Sequence, residues 1–591
     1  LFTPATQVPK SAAERLKVTW AEGFQREVLP VLFEVEGEFA SLYSEMGRPN
    51  WSVARLVGLM ILQDLEDLDD QSVLDRLMFD VRYQHALGVT SDDAYLSRRS
   101  FVAFRSRLAE RDPEMKLVRK VFERVRNEAL ADLRLSSGKQ RLDSTHIMSN
   151  IQTHARADLF GKTLRHFVRG LRDRWPDRLE RLDPKLREWA LSDVEGWFGK
   201  AGADRRVVLQ QRAEWALSVV ETFAADQEVA ADERYQLVAR LLAEHCVVQS
   251  GPQAGSTDSG NCGEGKASSA GTAADGQTGA EPVTAAPDEG SAGADAGEDA
   301  GEDQASPSGA VDTMVSRVKV LATPAVASGL QSPFDPDAGY GQKGRGYLVQ
   351  ITETCGNEGT EIVTDYGVVP ANVSDKTQVV PVLERLGPTL LPQTLFADSG
   401  YATMGNIEKA REQGIELYSP VSTGPLPKDF VGRERFTFDE TTGEVTLCPQ
   451  GHRPLRHGLR SSDNDDKPTL HAYFDRKVCS GCPLFGRCAV RAPNSGKKGH
   501  CHVELLPSLR QRDHALERQR HAKWWKPYKI RSGIEATASE LKRRHGMGRL
   551  RVRRKPRVTL KVALKAIACN AKRWIRAVLG RVERPNRLQP A

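Results

Sequence analysis

The sequence predicts an α/β core that is preceded by an all-helical domain and interrupted by long insertions. Three observations carry this. Short apolar strands recur between helical stretches, and two of them end in an aspartate: Gln140-Arg-Leu-Asp143 and Thr394-Leu-Phe-Ala-Asp398. Apolar residues repeat at helical spacing through two long regions, 53–130 and 156–247. Between them and the remaining strands lies a Gly, Ala, Ser, Asp and Glu tract, 249–312, which cannot bury a core.

The chain has 591 residues, room for several domains. Residues 1–48 read as an N-terminal arm leading into a helical domain at 49–135. There Ser52 is an N-cap, and Val53, Leu56, Val57, Met60 and Ile61 form an apolar face. Val73, Leu74, Leu77, Met78 and Val81 predict a second helix, Phe101, Phe104 and Leu108 a third, and about 117–130 a fourth. Such a bundle serves either DNA reading, as a helix-turn-helix variant, or packing and dimerisation. Residues 136–155 hold the first core strand, with Asp143 in it.

Residues 156–247 read as a helical insertion with an apolar seam through Leu164, Phe167, Val168, Leu171 and Trp175, continued by Leu179, Leu182, Leu186 and Trp189. Its arginines read as a solvated face, with a DNA groove as the other reading. Residues 248–320 are an acidic linker, expected to be disordered; it serves solubility or shields basic segments. The core continues through 321–420. Gly346–Glu353 and Glu361–Pro370 form a hairpin, a helix lies near 377–386, the Asp398 strand follows, then a helix at Met404–Gln413 and a strand at Ile415–Pro420.

Residues 421–520 are a β-rich insertion with Cys448, then Cys479-Ser-Gly-Cys482 and Cys488. One CxxC with two further cysteines suits a tetrahedral structural zinc; unpaired cytosolic cysteines in turns are the other reading. The odd total of nine cysteines fits a reducing compartment better than a disulfide scaffold. No signal peptide or run of 18 apolar residues is read, so no membrane span is expected.

Residues 521–591 hold the most informative stretch. Net charge is only +6, yet residues 521–580 carry 18 Lys and Arg against two acids, beside the pair Trp524-Trp525. This suits a polyanion partner. On a single helix, Tyr528, Arg531, Glu535 and Lys542 fall within about 60° of one another. A carboxylate that can hold a metal thus shares a face with a phenol and two cations that can hold phosphates.

With Asp143, Asp398 and Glu535 in view, the chain resembles the DDE transposases of bacterial insertion sequences, in the subgroup marked by Tyr-x2-Arg-x3-Glu-x6-Lys. The signature is Tyr528, Arg531, Glu535 and Lys542, and the contexts Leu-Asp143-Ser-Thr-His and Ala-Asp398-Ser-Gly-Tyr match the two aspartates. The resemblance implies an RNase H-like core, a mixed sheet flanked by helices, with the aspartates on the first and fourth strands and the glutamate on a later helix. The stretch between Asp143 and the next core strand is much longer than the hairpin this fold normally has.

The resemblance further implies two Mg2+ ions, with Mn2+ as a substitute, held by Asp143, Asp398 and Glu535. It implies cleavage of double-stranded terminal inverted repeats, strand transfer into target DNA and a homodimer on DNA in the bacterial cytoplasm. Tyr528, Arg531, Lys542, Arg543, Arg544, Arg549, Arg551 and Arg553 are the expected DNA contacts, within a basic run reaching Lys561. Cys448, Cys479, Cys482 and Cys488 are the zinc candidates. The competing functions are a transposase-derived DNA-binding protein, a metal-dependent nuclease without strand transfer, and a zinc-ribbon adaptor.

Overall fold

In the computed structural model, five strands form the centre of the molecule: β1 (Lys139–Ile147), β2 (Gly344–Thr354), β3 (Val363–Pro370), β4 (Thr394–Ala397) and β5 (Glu416–Tyr418). The structure describes residues 9–43, 51–151, 155–192, 202–249, 317–323, 329–422, 429–439, 441–462, 465–493, 499–505 and 507–583. The strands lie in the order β3-β2-β1-β4-β5, and a short strand, Gly339–Gly341, pairs with the start of β2. β2 runs antiparallel to both β1 and β3, whereas β4 and β5 run parallel to β1.

Register places the aspartates. In the parallel β1–β4 ladder Leu142 pairs with Ala397, so Asp143, midway along β1, and Asp398, just after β4, follow side by side. Side chains alternate along a strand, so Arg141 and Asp143 project to one face of β1. Across the antiparallel β1–β2 ladder Arg141 faces Glu353.

The helix Ile534–Arg543 covers that face. It buries Ile534, Thr537 and Leu541, spaced as one helical face, and leaves Glu535 exposed in its first turn. The long helix Lys555–Glu583 packs against β3 and against the helices Val53–Leu65 and Lys116–Leu133. Its Asn570 donates through Nδ2 to the Val363 carbonyl and accepts from the Val363 amide, at 2.8 and 2.9 Å. This satisfies backbone groups on the outer strand of the sheet.

The stretch read as an arm is helical and buried. Residues 10–42 form short helices, and Phe24, Val28, Leu32 and Phe39 enter the main core. Glu36 accepts from the Ser52 hydroxyl at 2.8 Å and from the Ala54 amide at 3.2 Å, beside the N-cap that Ser52 itself supplies to Arg55. The helical start is also not a separate unit. Its core is continuous with the sheet, with Phe122 edge-on to Tyr366 and Arg119 bound to Asp365 at 2.7 Å. The second expected helix ends at Phe79. Asp80 caps a new helix, Val81–Leu87, and Met78 is exposed.

The helical insertion has its own core, built from Phe160, Leu164, Phe167, Leu171, Phe223 and their neighbours. Arg174, Arg178 and Arg181 pair within it with Asp232 and Asp226. Most of the acidic linker, 250–316, lies outside the described residues, but its flanks are ordered. Cys246–Val248 and Val318–Val320 form an antiparallel ladder, so the segment leaves and returns at one place. Among the described residues no helix is long and apolar enough to cross a membrane.

Excision of 255–310 is expected to leave the circular-dichroism melting midpoint within about 2 °C of the full chain, because a longer closed loop changes stability only logarithmically. A molten or insoluble product would show that the segment is not a linker.

Candidate functional site

The signature stretch is not one continuous α-helix. Ala522–Tyr528 is followed by a 3-10 turn, Lys529–Gly533, before Ile534–Arg543 begins. Pro527 lies inside the first helix, and Gly533 ends the turn. A Cβ at Gly533 would land on the Arg141 guanidinium, so a larger residue there would push that side chain aside. Arg141 donates to the Ile530 carbonyl at 2.9 Å and to Glu353 at 2.7 Å, pinning the turn to the sheet.

The turn brings Arg531 among the three expected carboxylates. Its Nη2 lies 2.7 Å from Asp143 and 3.8 Å from Asp398, and its Nη1 lies 3.1 Å from Glu535. Exposure grades outward, from 22% for the Asp143 side chain to 53% for Asp398 and 67% for Glu535. Burial raises the Asp143 pKa, and Arg531 only partly offsets it. Burial works to lower the Arg531 pKa, but Asp143 and Asp398 outweigh it, so the guanidinium is held charged.

These are three oxygen donors of the kind hard divalent cations take. As the structure stands, they gather on the guanidinium and not within 4.8 Å of one another as a group. The donor set fits Mg2+ or Mn2+ in chemistry.

The other signature residues divide. The Tyr528 hydroxyl donates to the Ala397 carbonyl at 3.2 Å, one residue before Asp398, and its ring stacks on Trp524 and Tyr418. Burial pushes the Tyr528 phenol up to about 12. Its hydroxyl therefore holds the end of β4. Lys542 is half-buried; burial first and then nearby Lys343 lower its pKa. Burial also lowers the pKa of His146, which bonds the Arg345 carbonyl through Nε2 at 3.0 Å.

Sequence reasoning missed Lys343, on the turn between Gly339–Gly341 and β2; it acts electrostatically on Asp143, Lys542 and His146. It also missed Asp375, which accepts from Ser144 at 2.9 Å, Gln350 at 3.1 Å and Tyr401 at 3.4 Å. That carboxylate ties β1, β2 and the Ser399–Tyr401 turn behind the two aspartates. In a Ser-Asp-Lys-Thr loop it reads as an ordinary turn residue.

The basic run divides as well. Arg543, Arg544, Arg549, Arg551 and Arg553 are exposed. Arg551 lies against Asp67, and Arg553 donates to the Asn150 carbonyl at 2.6 Å. Lys561 is turned inward: it and Lys565 pair with buried Asp64 at 3.0 and 2.8 Å. The helix Lys555–Glu583 is a core helix, and cations on its inner face are matched by internal acids.

Two segments of the chain match known families. Residues 22–107 match a family described as "Transposase domain (DUF772)", and residues 447–575 match "Transposase DDE domain". No curated protein and no solved structure matches. Both segments are thus similar to transposase domains, and each match covers less than a quarter of the chain. Of the three carboxylates, only Glu535 lies inside a matched segment.

The helix that carries Glu535 is anchored by Glu540, which pairs with Lys572 at 2.6 Å and Arg573 at 2.9 Å. Burial alone would raise the Glu540 pKa, but these partners outweigh it and hold it at about 2 against an ordinary 4.5. A depressed carboxylate pKa gives stability that is fully present above pH 4.5 and lost as pH falls toward about 2. After discounting for solvent screening, this is about 1–2 kcal/mol. Glu540→Gln is expected to lower the urea midpoint at pH 7 and to flatten the loss of stability across that acid window. An unchanged acid slope would remove Glu540 from the balance.

Proposed function

We propose that the protein cleaves the ends of its insertion sequence and joins them to target DNA, with Asp143, Asp398 and Glu535 as the catalytic carboxylates. The observation that carries this is their convergence on the single Arg531 guanidinium from three distant parts of the chain. The strand order β3-β2-β1-β4-β5, with Asp143 on β1 and Asp398 directly after β4, supports an RNase H-like core.

The three carboxylates would hold two Mg2+ ions, which when bound stabilise the attacking and leaving oxygens of an in-line displacement. The chain's own groups do the rest. Asp375 and the Tyr528 hydroxyl fix the backbone around both aspartates. Arg531 holds the three carboxylates gathered on one guanidinium. Lys343 presents cationic charge beside Asp143, where a scissile phosphate would sit, and Lys542 lies near Lys343. Raised by burial, the Asp143 pKa sets the acid limb: the carboxylate is lost at a higher pH than in a free aspartate.

Exposed Arg543, Arg544 and Arg549 extend a cationic track from the pocket and bind the DNA backbone. Cleavage of both ends in one event calls for a homodimer on DNA.

The test uses labelled DNA carrying the element ends, with Mg2+. Asp143→Asn, Asp398→Asn and Glu535→Gln are each expected to lower end cleavage more than about 100-fold while end binding persists. Wild-type cleavage by any of them removes that residue from the site. Cut ends without joined products would favour a nuclease over a transposase. Arg543→Ala, Arg544→Ala and Arg549→Ala should each lower the salt dependence of DNA binding by about one counterion. An unchanged slope in gel-shift titrations would make that arginine a surface charge only.

A further inference from the structure

The β-rich insertion is short of core. Among the described residues from Phe436 to Val503, its buried apolar cluster is Phe436, Val445, Ala472, Phe474, Cys501 and Val503. A core of this size supplies little stability, and small domains in this position carry a staple. Packed against the cluster are Cys448, Cys479 and Cys488, and these line one cavity together with Cys482.

The loops bearing these cysteines are shaped around their sulfurs. Cys448-Pro-Gln-Gly451 closes on itself: the Gly451 amide donates to the Cys448 carbonyl at 2.8 Å, and the Cys448 amide to the His452 carbonyl at 2.9 Å. Gly451 sits at φ +79°, where other residues are strained. The His452 amide then points at Cys448 Sγ at 3.3 Å. Cys479-Ser-Gly-Cys482 is a second tight turn, closed by Cys482 N–H to the Cys479 carbonyl at 3.1 Å, and the Leu484 amide donates to Cys482 Sγ at 3.4 Å. The amides of Ala489 and Val490 bond the sulfur of Cys488. Backbone N–H groups aimed at sulfur stabilise a thiolate more than a thiol, and they orient metal ligands elsewhere in proteins.

The fifth cysteine of the insertion, Cys501, is on the strand Cys501–Glu504 and belongs to the buried cluster; its thiol bonds that of Cys479. The other ligand-like group among the described residues is Glu540, His545 and Cys569, whose ligand atoms lie within 4.8 Å of one another. It is ruled out on charge, because Lys572 and Arg573 already occupy the Glu540 carboxylate.

We propose that Cys448, Cys479, Cys482 and Cys488 bind one structural Zn2+ that closes the insertion, with Cys501 a core residue and not a ligand. Four thiolates in two tight turns and a following loop are the donor set that zinc takes tetrahedrally. No three of these sulfurs lie within 4.8 Å of one another in the structure, so binding draws the loops inward.

The closed insertion then has a definite route to the site. Cys488 bridges Val431, and Arg433 and Glu434 pair with Asp513 and Arg520 at 3.2 and 2.5 Å. Asp513 lies on the helix Pro507–Gln519, whose last carbonyl accepts from Trp525 at 2.7 Å, three residues before Tyr528.

The test is metal content of the full-length protein after exhaustive dialysis, with Co2+ replacement of the metal as a second readout. About one zinc per chain is expected, and the Co2+ form should show thiolate charge transfer and intense tetrahedral d–d bands. Cys448→Ser, Cys479→Ser, Cys482→Ser and Cys488→Ser should each lose the zinc, whereas Cys501→Ser and Asp143→Asn should keep it. A wild-type protein without zinc whose Co2+ form shows only weak octahedral bands would overturn the proposal, and because that is read on the wild type, misfolding of a variant cannot mimic it. Loss of zinc in Cys501→Ser with retention in Cys488→Ser would overturn the ligand set.

Discussion

The arrangement depends on one buried carboxylate, Glu353. It is fully buried on β2 and held from three directions: Arg141 on β1 at 2.7 Å, Arg573 on the long C-terminal helix at 3.1 Å, and the Thr537 hydroxyl on the Glu535 helix at 2.6 Å. Arg573 also reaches Glu540, so the network runs from the sheet through both helices. Removing one partner of a buried ion pair costs about 3–5 kcal/mol, because the other charge is left without compensation. The pairing therefore acts less as added stability than as a condition on geometry: β1, β2 and the two helices meet in one way.

That condition is what brings three distant carboxylates together. Asp143 and Asp398 are set by strand register alone. Glu535 is not, since it rides on a helix that could slide or rotate over the sheet. Arg141 fixes the turn before that helix, and Thr537 and Glu540 fix its body. Glu535 itself makes only an exposed contact with Arg531. The carboxylate that rides on a helix is thus the least buried of the three, and the groups that position it are more buried.

Much of this was legible in the sequence because it is local. Strand alternation and the short apolar strands that carry Asp143 and precede Asp398 are short-range patterns, and the strands came in the expected order. What was not legible depends on tertiary partners. Residues 10–42 carry apolar residues without one strong period, and only packing against Trp574 and Ile575 and their neighbours makes them core. Lys561 and Lys565 look like the rest of a basic tail until Asp64, nearly 500 positions earlier, turns them inward. Lys343 and Asp375 lie in polar loops, where composition cannot separate a pocket residue from a turn residue. The break in the signature helix follows from Pro527 and from Gly533 under Arg141; the first was readable and the second was not.

The long insertions become intelligible on the same terms. Each enters the fold where the chain's exit and return are clasped together. The acidic segment is closed by the ladder of Cys246–Val248 with Val318–Val320. The β-rich insertion begins after β5 and returns at Ala522–Tyr528, where the Tyr418 hydroxyl donates to the Trp524 carbonyl at 2.6 Å and the two rings stack. Once the ends are clasped, each doubling of the loop between them costs only about 0.6 kcal/mol in closure entropy. No residue of the Glu353 network or of the β1–β4 register lies within these loops. A site built from pairings rather than from chain continuity can therefore accept large additions between its carboxylates without moving them.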